Sequence, residues 1–399
     1  MKKQRKVVQI NSFNAGSTGK IAIAINNEAE KRGWETHFLY GRSWKGNKSI
    51  KNGEQISYSW DNFIHAGLSR FFDCVGRLSY FSTLRLIRKL KVIKPDIVHL
   101  HNIHGYYLNY SLLFKYLKEQ NIPVVWTLHD CWSVTGHCPY FDSIGCEKWK
   151  TQCFKCELKK TYPKSLLLDN SQSNYKLKKK AFTSLNSLTL VPVSDWLKDI
   201  VKESYLRDQH VITIHNGIDT DKFSPTPLET REKYILGVAS PWSVYKGFND
   251  YIKLRSILDP SISIVMVGLS KEQLAQLPDG IRGIEHTNNI EEMVELYSNA
   301  IAFVNMTYED NFPTTNIEAL ACGTPVITYR TGGSPEAIDE TTGLVVDRGD
   351  WRNIPNAIYE IEKNGYSYYS SNCRSRAVKL FNGINQYAKY VDIYEKILS

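Results

Sequence analysis

The sequence predicts an α/β fold made of two doubly wound domains, and three observations support this prediction. The chain has 399 residues, more than one hydrophobic core ordinarily organises. Short apolar runs alternate with helical patterns, as in parallel sheets with right-handed crossovers. The alternation stops at a Pro-rich stretch, 223–227, and then begins again. We therefore expect one domain over 1–225 and a second over 226–383, with a last helix over 384–399 crossing back to the first.

In the first domain, a strand at 7–13 leads through a glycine-containing turn to a helix at 20–31. Apolar runs then predict strands at 36–41, 96–102, 123–130, 188–194 and 211–219, with a helix at 109–120. In the second domain, strands are predicted at 233–240, 262–268, 301–306, 324–329 and 343–346, and helices at 249–258, 290–298 and 315–321. Two such sheets predict a ligand cleft at the carboxyl ends of their strands.

Composition and charge narrow the function classes. Hydrophobic residues make up 42% of the chain and charged residues 23%, which is typical of a globular protein. The sequence has no apolar run long enough for a spanning helix and no signal-peptide core, so we expect a cytoplasmic protein. Residues 1–225 contain 34 Lys and Arg against 19 Asp and Glu, whereas 226–399 contain 16 against 22. The basic first half favours an anionic partner, with solvated surface charge as the alternative.

The segment 309–338 contains the clearest chemical pattern. Asp310 and Glu318 are eight residues apart, which places one carboxylate after a strand and the other on the first turn of the next helix. Such carboxylates can accept hydrogen bonds from the vicinal hydroxyls of a ribose or hexose. Amides at the helix N-terminus suit a phosphate, and Gly332 and Gly333 allow close backbone approach. A helix cap with loop carboxylates is the structural alternative.

These motifs resemble the donor site of the family-4 retaining glycosyltransferases. The resembling pattern is an acidic residue, seven intervening positions and Glu-Ala, followed by Ala-x-Gly-x-Pro-Val-Ile and Gly-Gly-x-x-Glu. The resemblance continues over nearly the whole chain, through the turn at 14–19, His129-Asp130, the segment 215–219 and Lys246-Gly247. It is greatest to bacterial enzymes of capsular polysaccharide or exopolysaccharide synthesis, which share the Gly-Ser-Thr-Gly-Lys run and a cysteine-rich insert.

The resemblance implies the GT-B fold, in which two Rossmann-like domains face a central cleft. It implies transfer of a hexose from a UDP- or GDP-sugar to a glycan, with retention of configuration and no catalytic cofactor. Glu318 would hold the donor ribose, Lys246 would neutralise the departing diphosphate, Asp310 would bind sugar hydroxyls, and His129 would lie beside the anomeric centre. Further donor contacts are expected at Gly16, Gly19, Asn216, Ser240, Asn311, Phe312, Thr314, Gly332 and Gly333, and acceptor contacts at His101 and His104.

The sequence departs from the family pattern at one of the cations expected to bind the donor phosphates. Ser240 stands where the family usually has an arginine, six residues before Lys246. Arg330 and Arg42 are the candidates to replace that cation. We therefore expect a donor site that depends on Lys246 more than is usual in the family.

The acidic turn departs from the pattern as well. Asp310 stands where the family usually has glutamate and is one methylene shorter, with Glu309 as its neighbouring alternative. Pro313 replaces a glycine and removes one backbone N–H that could have bound phosphate.

Four cysteines, Cys138, Cys146, Cys153 and Cys156, lie within nineteen residues. Because a cytosolic protein rarely holds disulfides, this spacing allows a structural zinc site. Disulfides and free thiols remain the alternatives.

Aromatic and cationic residues alternate over 60–94, and the run 176–180 adds further lysines. Amphipathic helices of this composition suit an anionic membrane surface, whereas core aromatics with solvated cations are the alternative. The expected partners are thus a nucleotide-sugar, a glycan or lipid-linked oligosaccharide acceptor, and the inner face of the plasma membrane; nucleic acid is not expected. Two other functions stay open: a cytosolic transferase with a small soluble acceptor, and a non-catalytic lipid- or nucleic-acid-binding protein on a transferase scaffold.

Overall fold

A computed structural model of the protein describes residues 4–43, 50–227 and 233–399. The chain divides into two compact units. The first contains the chain up to Ile214 together with Tyr387–Ser399, and the second is His215–Gln386. The last helix therefore belongs to the first unit from Tyr387 onward.

The first unit is built on a seven-stranded parallel sheet with the order β3-β2-β1-β4-β5-β6-β7. Its strands are β1 (Lys6–Phe13), β2 (Glu35–Arg42), β3 (Gly53–Gln55), β4 (Ile97–Leu100), β5 (Val124–Leu128), β6 (Leu188–Pro192) and β7 (His210–Val211). Its helices are α1 (Gly16–Lys31), α2 (Ser59–Phe72), α3 (Tyr80–Ile93), α4 (Tyr110–Glu119), α5 (Ser171–Phe182) and α6 (Asp195–Glu203).

The second unit is built on a six-stranded parallel sheet with the order β10-β9-β8-β11-β12-β13. Its strands are β8 (Tyr234–Val238), β9 (Ser263–Val267), β10 (Ile281–Ile284), β11 (Ala302–Asn305), β12 (Val326–Tyr329) and β13 (Gly343–Val346). Its helices are α7 (Phe248–Arg255), α8 (Lys271–Leu274), α9 (Ile290–Asn299), α10 (Thr314–Ala321), α11 (Ile354–Asn364) and α12 (Tyr366–Phe381). The last helix, α13 (Gly383–Ile397), begins in this unit and ends in the first.

The strand-and-helix alternation of the sequence produces two parallel sheets whose central strands are buried on both faces. All of the inner residues of β1 are buried, and β5 and β6 are buried throughout. Such continuous apolar strands form parallel sheets covered by helices on both sides. The predicted α/β fold of two doubly wound domains is confirmed.

The last helix contributes aromatic side chains to the core of the first unit. Tyr390 and Tyr394 are buried in one cluster with Val7 of β1 and Ile25 of α1. The ring of Tyr394 also contacts Trp34 edge-on, with centroids 5.5 Å apart. Each such aromatic buries roughly 150–250 Å². These contacts place the C-terminal helix in the first core.

The structure differs from the sequence prediction at three strands. β3 and β10 are edge strands with the sequences Gly-Glu-Gln and Ile-Arg-Gly-Ile, and without a continuous apolar run they are not predicted. The strand predicted at 211–219 is limited to β7, although Ile212 and Ile214 still donate hydrogen bonds to β6. Pro192 ends β6 and has no N–H to donate in return, so the pairing becomes one-sided and the regular ladder stops. Across the described ranges, no helix has both the length and the apolar character needed to span a bilayer.

Candidate active site

An ion pair between Lys246 and Asp310 lies at the carboxyl ends of two adjacent strands of the second unit. Lys246 follows β8, Asp310 follows β11, and these strands are neighbours in the sheet. Lys246 Nζ donates to Asp310 Oδ2 at 2.6 Å, and both side chains are partly exposed. Such a pair contributes only about 0–1 kcal/mol to stability, so either group can change its partner at little cost.

The backbone holds these two turns together. Tyr308 N donates to the carbonyl of Tyr245 at 2.7 Å, and Thr307 Oγ1 donates to the same oxygen at 3.2 Å. Gly247 has φ +79°, and a Cβ there would lie 2.4 Å from the carbonyl oxygen of Met306. Glycine is therefore required beside Lys246 for both its backbone angle and its close packing.

Glu318 lies on α10 and is oriented by a buried tyrosine. The hydroxyl of Tyr297, on α9, donates to Glu318 Oε2 at 3.0 Å. The ring of Tyr297 is fully buried, so this hydrogen bond restricts the carboxylate to one side of the helix. The prediction that Glu318 is on the first turn is wrong: α10 begins at Thr314, so Glu318 is its fifth residue and lies in the second turn. Pro313 occupies the N-cap with φ −67°, where its missing N–H breaks no helical hydrogen bond.

The turn after Asp310 is connected to the glycine pair. Gly333 N donates to the carbonyl of Asn311 at 2.8 Å, and Gly332 takes φ +51°. The Phe312 ring is buried, and Asn216 Nδ2 donates to its carbonyl at 3.1 Å. Asn216 and Phe312 thus support the turn in this structure, while Asn311 joins it to Gly332 and Gly333.

The two arginines that could replace the cation absent at Ser240 have other partners in the structure. Ser240 is exposed and lies two residues after the end of β8. Arg330 Nε pairs with Asp347 at 3.2 Å and is largely exposed. In the first unit, Arg42 donates to the Gly105 carbonyl at 3.0 Å and lies over the Phe13 ring. Lys246 contacts the acidic turn directly, through Asp310.

Two predicted glycines begin the first helix of the first unit. Gly16 is the first residue of α1 and takes φ +72°. A Cβ at Gly19 would lie 3.0 Å from the Asn14 carbonyl carbon. The loop before α1 thus packs closely on its own helix at Gly19.

Three side chains in the first unit fix the proton positions of His129. Gln9 Nε2 donates to Asn26, so Gln9 Oε1 accepts from His101 Nε2 at 2.6 Å. Burial lowers the pKa of His101 well below its ordinary value, so its Nδ1 carries no proton. His101 Nδ1 therefore accepts from His129 Nε2 at 3.1 Å. Burial also lowers the pKa of His129 to about 4, which leaves Nδ1 of His129 as an acceptor.

His104 and His99 have different partners. His104 Nε2 lies 2.8 Å from Asp130 Oδ2. Burial raises the pKa of Asp130. The nearby His104 and the hydrogen bonds that Asp130 accepts lower it by more, so the pKa lies below its ordinary value. His99 bonds Thr127 at 2.8 Å and Tyr394 at 2.5 Å, which joins β4 to the last helix. Each of the four histidines thus has a hydrogen-bonding partner that orients its ring. His99 connects β4 to the last helix and has a structural role.

The four cysteines predicted as a zinc site line one small cavity of about 20 Å³. All of them are free thiols in this structure. A hydrogen bond from the Cys138 thiol lowers the pKa of Cys156, whereas burial raises the pKa of Cys153 to about 12. Among the described residues, no three of these sulfur atoms lie within 4.8 Å of one another. This arrangement does not support the zinc prediction.

Sequence reasoning missed the residues that orient the candidate groups. Tyr297, Gln9 and Asp130 each hydrogen-bond a candidate side chain. The sequence marks Asp130 only as part of the His129-Asp130 motif and does not indicate its role. Tyr297 and Gln9 lie inside ordinary apolar patterns, and nothing in the sequence marks them.

Comparison with protein families gives two matches that together cover most of the chain. Residues 20–222 match the model of Glycosyltransferase Family 4, and residues 219–379 match Glycosyl transferases group 1. A curated relative, the putative colanic acid biosynthesis glycosyl transferase WcaC of Escherichia coli K12, is 24% identical over 96% of this chain and 97% of its own length. Three further curated relatives match over about half of their lengths.

Solved structures share the fold at low sequence identity. Sucrose-phosphate synthase from Thermosynechococcus elongatus superposes with a TM-score of 0.71 over 99% of both chains, at 16% identity. Anabaena Alr3699/HepE, solved with UDP-glucose, superposes with a TM-score of 0.69 over 98% of this chain and 99% of its own, at 13% identity.

Proposed function

This chain belongs to glycosyltransferase family 4, and on that premise we propose that it transfers a hexose from a nucleotide-sugar to a glycan, with retention of configuration. The observation that carries the proposal is the Lys246–Asp310 pair at the carboxyl edge of the second sheet. Ligands of open parallel sheets bind at this edge.

Lys246 is the proposed electrostatic support for the leaving diphosphate. A donor phosphate would replace Asp310 as the partner of the ammonium group, and the Asp310 carboxylate would then accept hydrogen bonds from sugar hydroxyls. The exchange costs little because the pair is partly exposed. Positive charge placed where negative charge develops is worth about 10²–10³ in rate.

Glu318 is the proposed ribose ligand. Tyr297 holds its carboxylate by a hydrogen bond of 3.0 Å, which reduces the freedom lost when a ligand binds. Nearby, the hydroxyls of Thr331 and Ser334 are buried on either side of the glycine pair and have no partner among the described residues. Buried hydroxyls ordinarily find partners, so these two support a polar ligand at this turn.

The proposed reaction breaks the bond between the anomeric carbon and the donor phosphate oxygen. The acceptor oxygen bonds to the anomeric carbon on the same face, and its proton passes to the leaving phosphate. Lys246 stabilises the charge of that phosphate, so we propose that catalysis needs no metal. In the first unit, His129 is proposed to accept a hydrogen bond from a sugar or acceptor hydroxyl through Nδ1.

The acceptor is proposed to be a growing cell-surface polysaccharide, such as a capsular or exopolysaccharide, carried on a lipid. The name of the Escherichia coli relative, which refers to colanic acid biosynthesis, supports this choice. A cytoplasmic enzyme acting on a lipid-linked glycan would work at the inner face of the plasma membrane. A small soluble acceptor is the second candidate, and turnover with a water-soluble glycan alone would favour it.

A thermal-shift screen with UDP-, GDP- and ADP-sugars tests donor binding. A true donor at 100 times its Kd stabilises the folded protein by about 2.7 kcal/mol. The shift should be abolished in Lys246→Ala and in Glu318→Ala. It should persist in Lys363→Ala, which removes an exposed lysine on α11. Equal shifts in all four proteins would contradict the assignment of the donor site.

A further inference from the structure

The second helix of the first unit, α2, exposes its apolar face to solvent. Trp60, Phe63, Ile64, Leu68 and Phe71 recur at the spacing of one helical face, and all five are exposed. Phe63 is 80% exposed and Trp60 is 51% exposed. A surface helix ordinarily buries such an apolar face against the core.

The opposite, polar face of α2 is buried. Asp61 Oδ2 accepts hydrogen bonds from the backbone N and the hydroxyl of Ser82, at 2.9 and 2.6 Å. Asn62 Nδ2 donates to Ser57 Oγ at 2.7 Å. These contacts hold one turn of the helix to the domain by its polar side.

His65 holds the next turn in the same way. Its Nε2 accepts from Gly76 N at 3.1 Å, so its Nδ1 carries the proton and donates to Ser79 Oγ at 2.7 Å. Rotating α2 to bury its apolar face would leave the buried groups of the domain that bond to this polar face without partners, which is unfavourable. The outward apolar face is therefore specified by the domain itself.

Neighbouring segments extend the exposed apolar surface. The Trp60 ring contacts Phe81 at the start of α3, with centroids 5.4 Å apart, and Phe81 contacts Tyr80. At the other end, Leu166 N and Leu168 N donate to the last carbonyls of α2, at 2.7 and 2.9 Å. We call this continuous surface the apolar face; its exposed members are Trp60, Phe63, Ile64, Leu68, Phe71, Phe72, Tyr80, Phe81, Leu166, Leu167 and Leu168.

The charge around the apolar face is mostly positive, although Glu54 pairs with Arg85 and Lys89. Segment 58–94 contains seven Lys and Arg and two acidic residues. Both acidic residues, Asp61 and Asp73, are buried and hydrogen-bonded, whereas Arg70 and Arg88 are exposed. A solvent-facing surface of aromatic, aliphatic and cationic side chains complements a bilayer interface with anionic headgroups.

We propose that the apolar face inserts into the interfacial region of an anionic lipid bilayer and docks the first unit there. Aromatic rings favour the headgroup boundary, and the cations add attraction to acidic lipids. This inference deepens the proposed function, because a lipid-linked acceptor would be met at that surface. A second copy of the chain could also cover an apolar face, and the test includes that outcome.

Vesicle flotation of the full chain tests the proposal. We expect flotation with vesicles of phosphatidylcholine and phosphatidylglycerol, and at least about tenfold less in Phe63→Ser/Leu68→Ser, since each buried side chain of this size contributes about 1.5–3 kcal/mol. The matched control is Tyr359→Ser, which removes a similarly exposed aromatic from α11 and should float as the wild type does. Arg70→Ser/Arg88→Ser should weaken binding to the anionic vesicles.

Two results would overturn the proposal: equal flotation of the wild type and Phe63→Ser/Leu68→Ser, or failure of the wild type to float. A concentration-dependent dimer that the double variant abolishes would then assign the apolar face to a second copy of the chain. Circular dichroism and the melting temperature check that the variants fold. Donor thermal shifts need no membrane, so they separate the two proposals: an intact donor shift without flotation rejects docking alone, and flotation without a donor shift rejects the donor site alone.

Discussion

Lys246 and Asp310, which are 64 positions apart in the sequence, form an ion pair of 2.6 Å across two adjacent turns of the second unit. Asp310 occupies the side of the ammonium group that we propose for the donor phosphate. The pair therefore joins two residues that we propose to bind one substrate. Replacing each residue in turn tests its proposed role.

We expect Lys246→Ala to lower kcat/KM by about 10²–10³, because support of the leaving diphosphate is lost. Asp310→Asn keeps the shape of the side chain and should also lower kcat/KM, through lost bonds to sugar hydroxyls. Steady-state kinetics with the best donor measures both effects. Glu309→Gln is the matched control for the neighbouring acid and should leave kcat/KM near the wild-type value. A larger loss in Glu309→Gln than in Asp310→Asn would move the assignment to Glu309.

Tyr297→Phe should raise the donor KM by about 2–10-fold with little change in kcat. It removes one hydrogen bond to Glu318, which is worth about 0.5–1.5 kcal/mol, without touching the reacting atoms. Tyr234→Phe is the matched control, since that buried tyrosine donates to the Leu296 carbonyl at 2.7 Å instead. If both variants change KM equally, Tyr297 has no specific role in orienting Glu318.

Gly247→Ala should reduce both stability and activity. The new Cβ would meet the Met306 carbonyl at 2.4 Å and would also require a left-handed backbone angle. Gly145→Ala is the control for the angle alone, because its φ is +60° and nothing lies within 4 Å of its Cβ position. We expect a loss of about 1 kcal/mol for Gly145→Ala and clearly more for Gly247→Ala, as measured by urea unfolding. Similar losses of unfolding free energy in the two variants would mean that the backbone at Met306 moves to accommodate the new Cβ.

Buried histidines should make the first unit sensitive to acid. Burial lowers the pKa of His65 and His129 to about 4 and that of His99 to about 3. Between about pH 4 and 6.5 the unfolded chain binds more protons at these residues than the folded chain does. The free energy of unfolding should therefore rise with pH in this window, by at most about 1.4 kcal/mol per pH unit for each histidine.

Urea unfolding at several pH values measures this dependence. His65→Asn should flatten it by up to one proton, whereas His286→Asn, at an exposed position, should leave it unchanged. An unaltered slope in His65→Asn would show that His65 takes up its proton in the folded state as readily as in the unfolded one.

The sequence determined the fold class and most of the elements. Its apolar runs had the length of buried strands, and the spacing of helical patterns between them left parallel sheets as the arrangement that satisfies their backbones. The position of Lys246 after β8 and of Asp310 after β11 followed from the same pattern. Aromatic and cationic residues over 60–94 were visible too, but composition alone left core packing and exposure equally open.

Only the tertiary structure decided which groups meet and which side of a helix faces solvent. The Lys246–Asp310 contact depends on sheet order, and the Tyr297–Glu318 bond depends on how α9 packs beside α10. The orientation of α2 was decided by buried bonds from Asp61 and His65, which outweigh the usual tendency of apolar residues to face inward. Such contacts join residues far apart in sequence, so local periodicity does not predict them. They are determined by packing and by the need of buried polar groups for hydrogen-bonding partners.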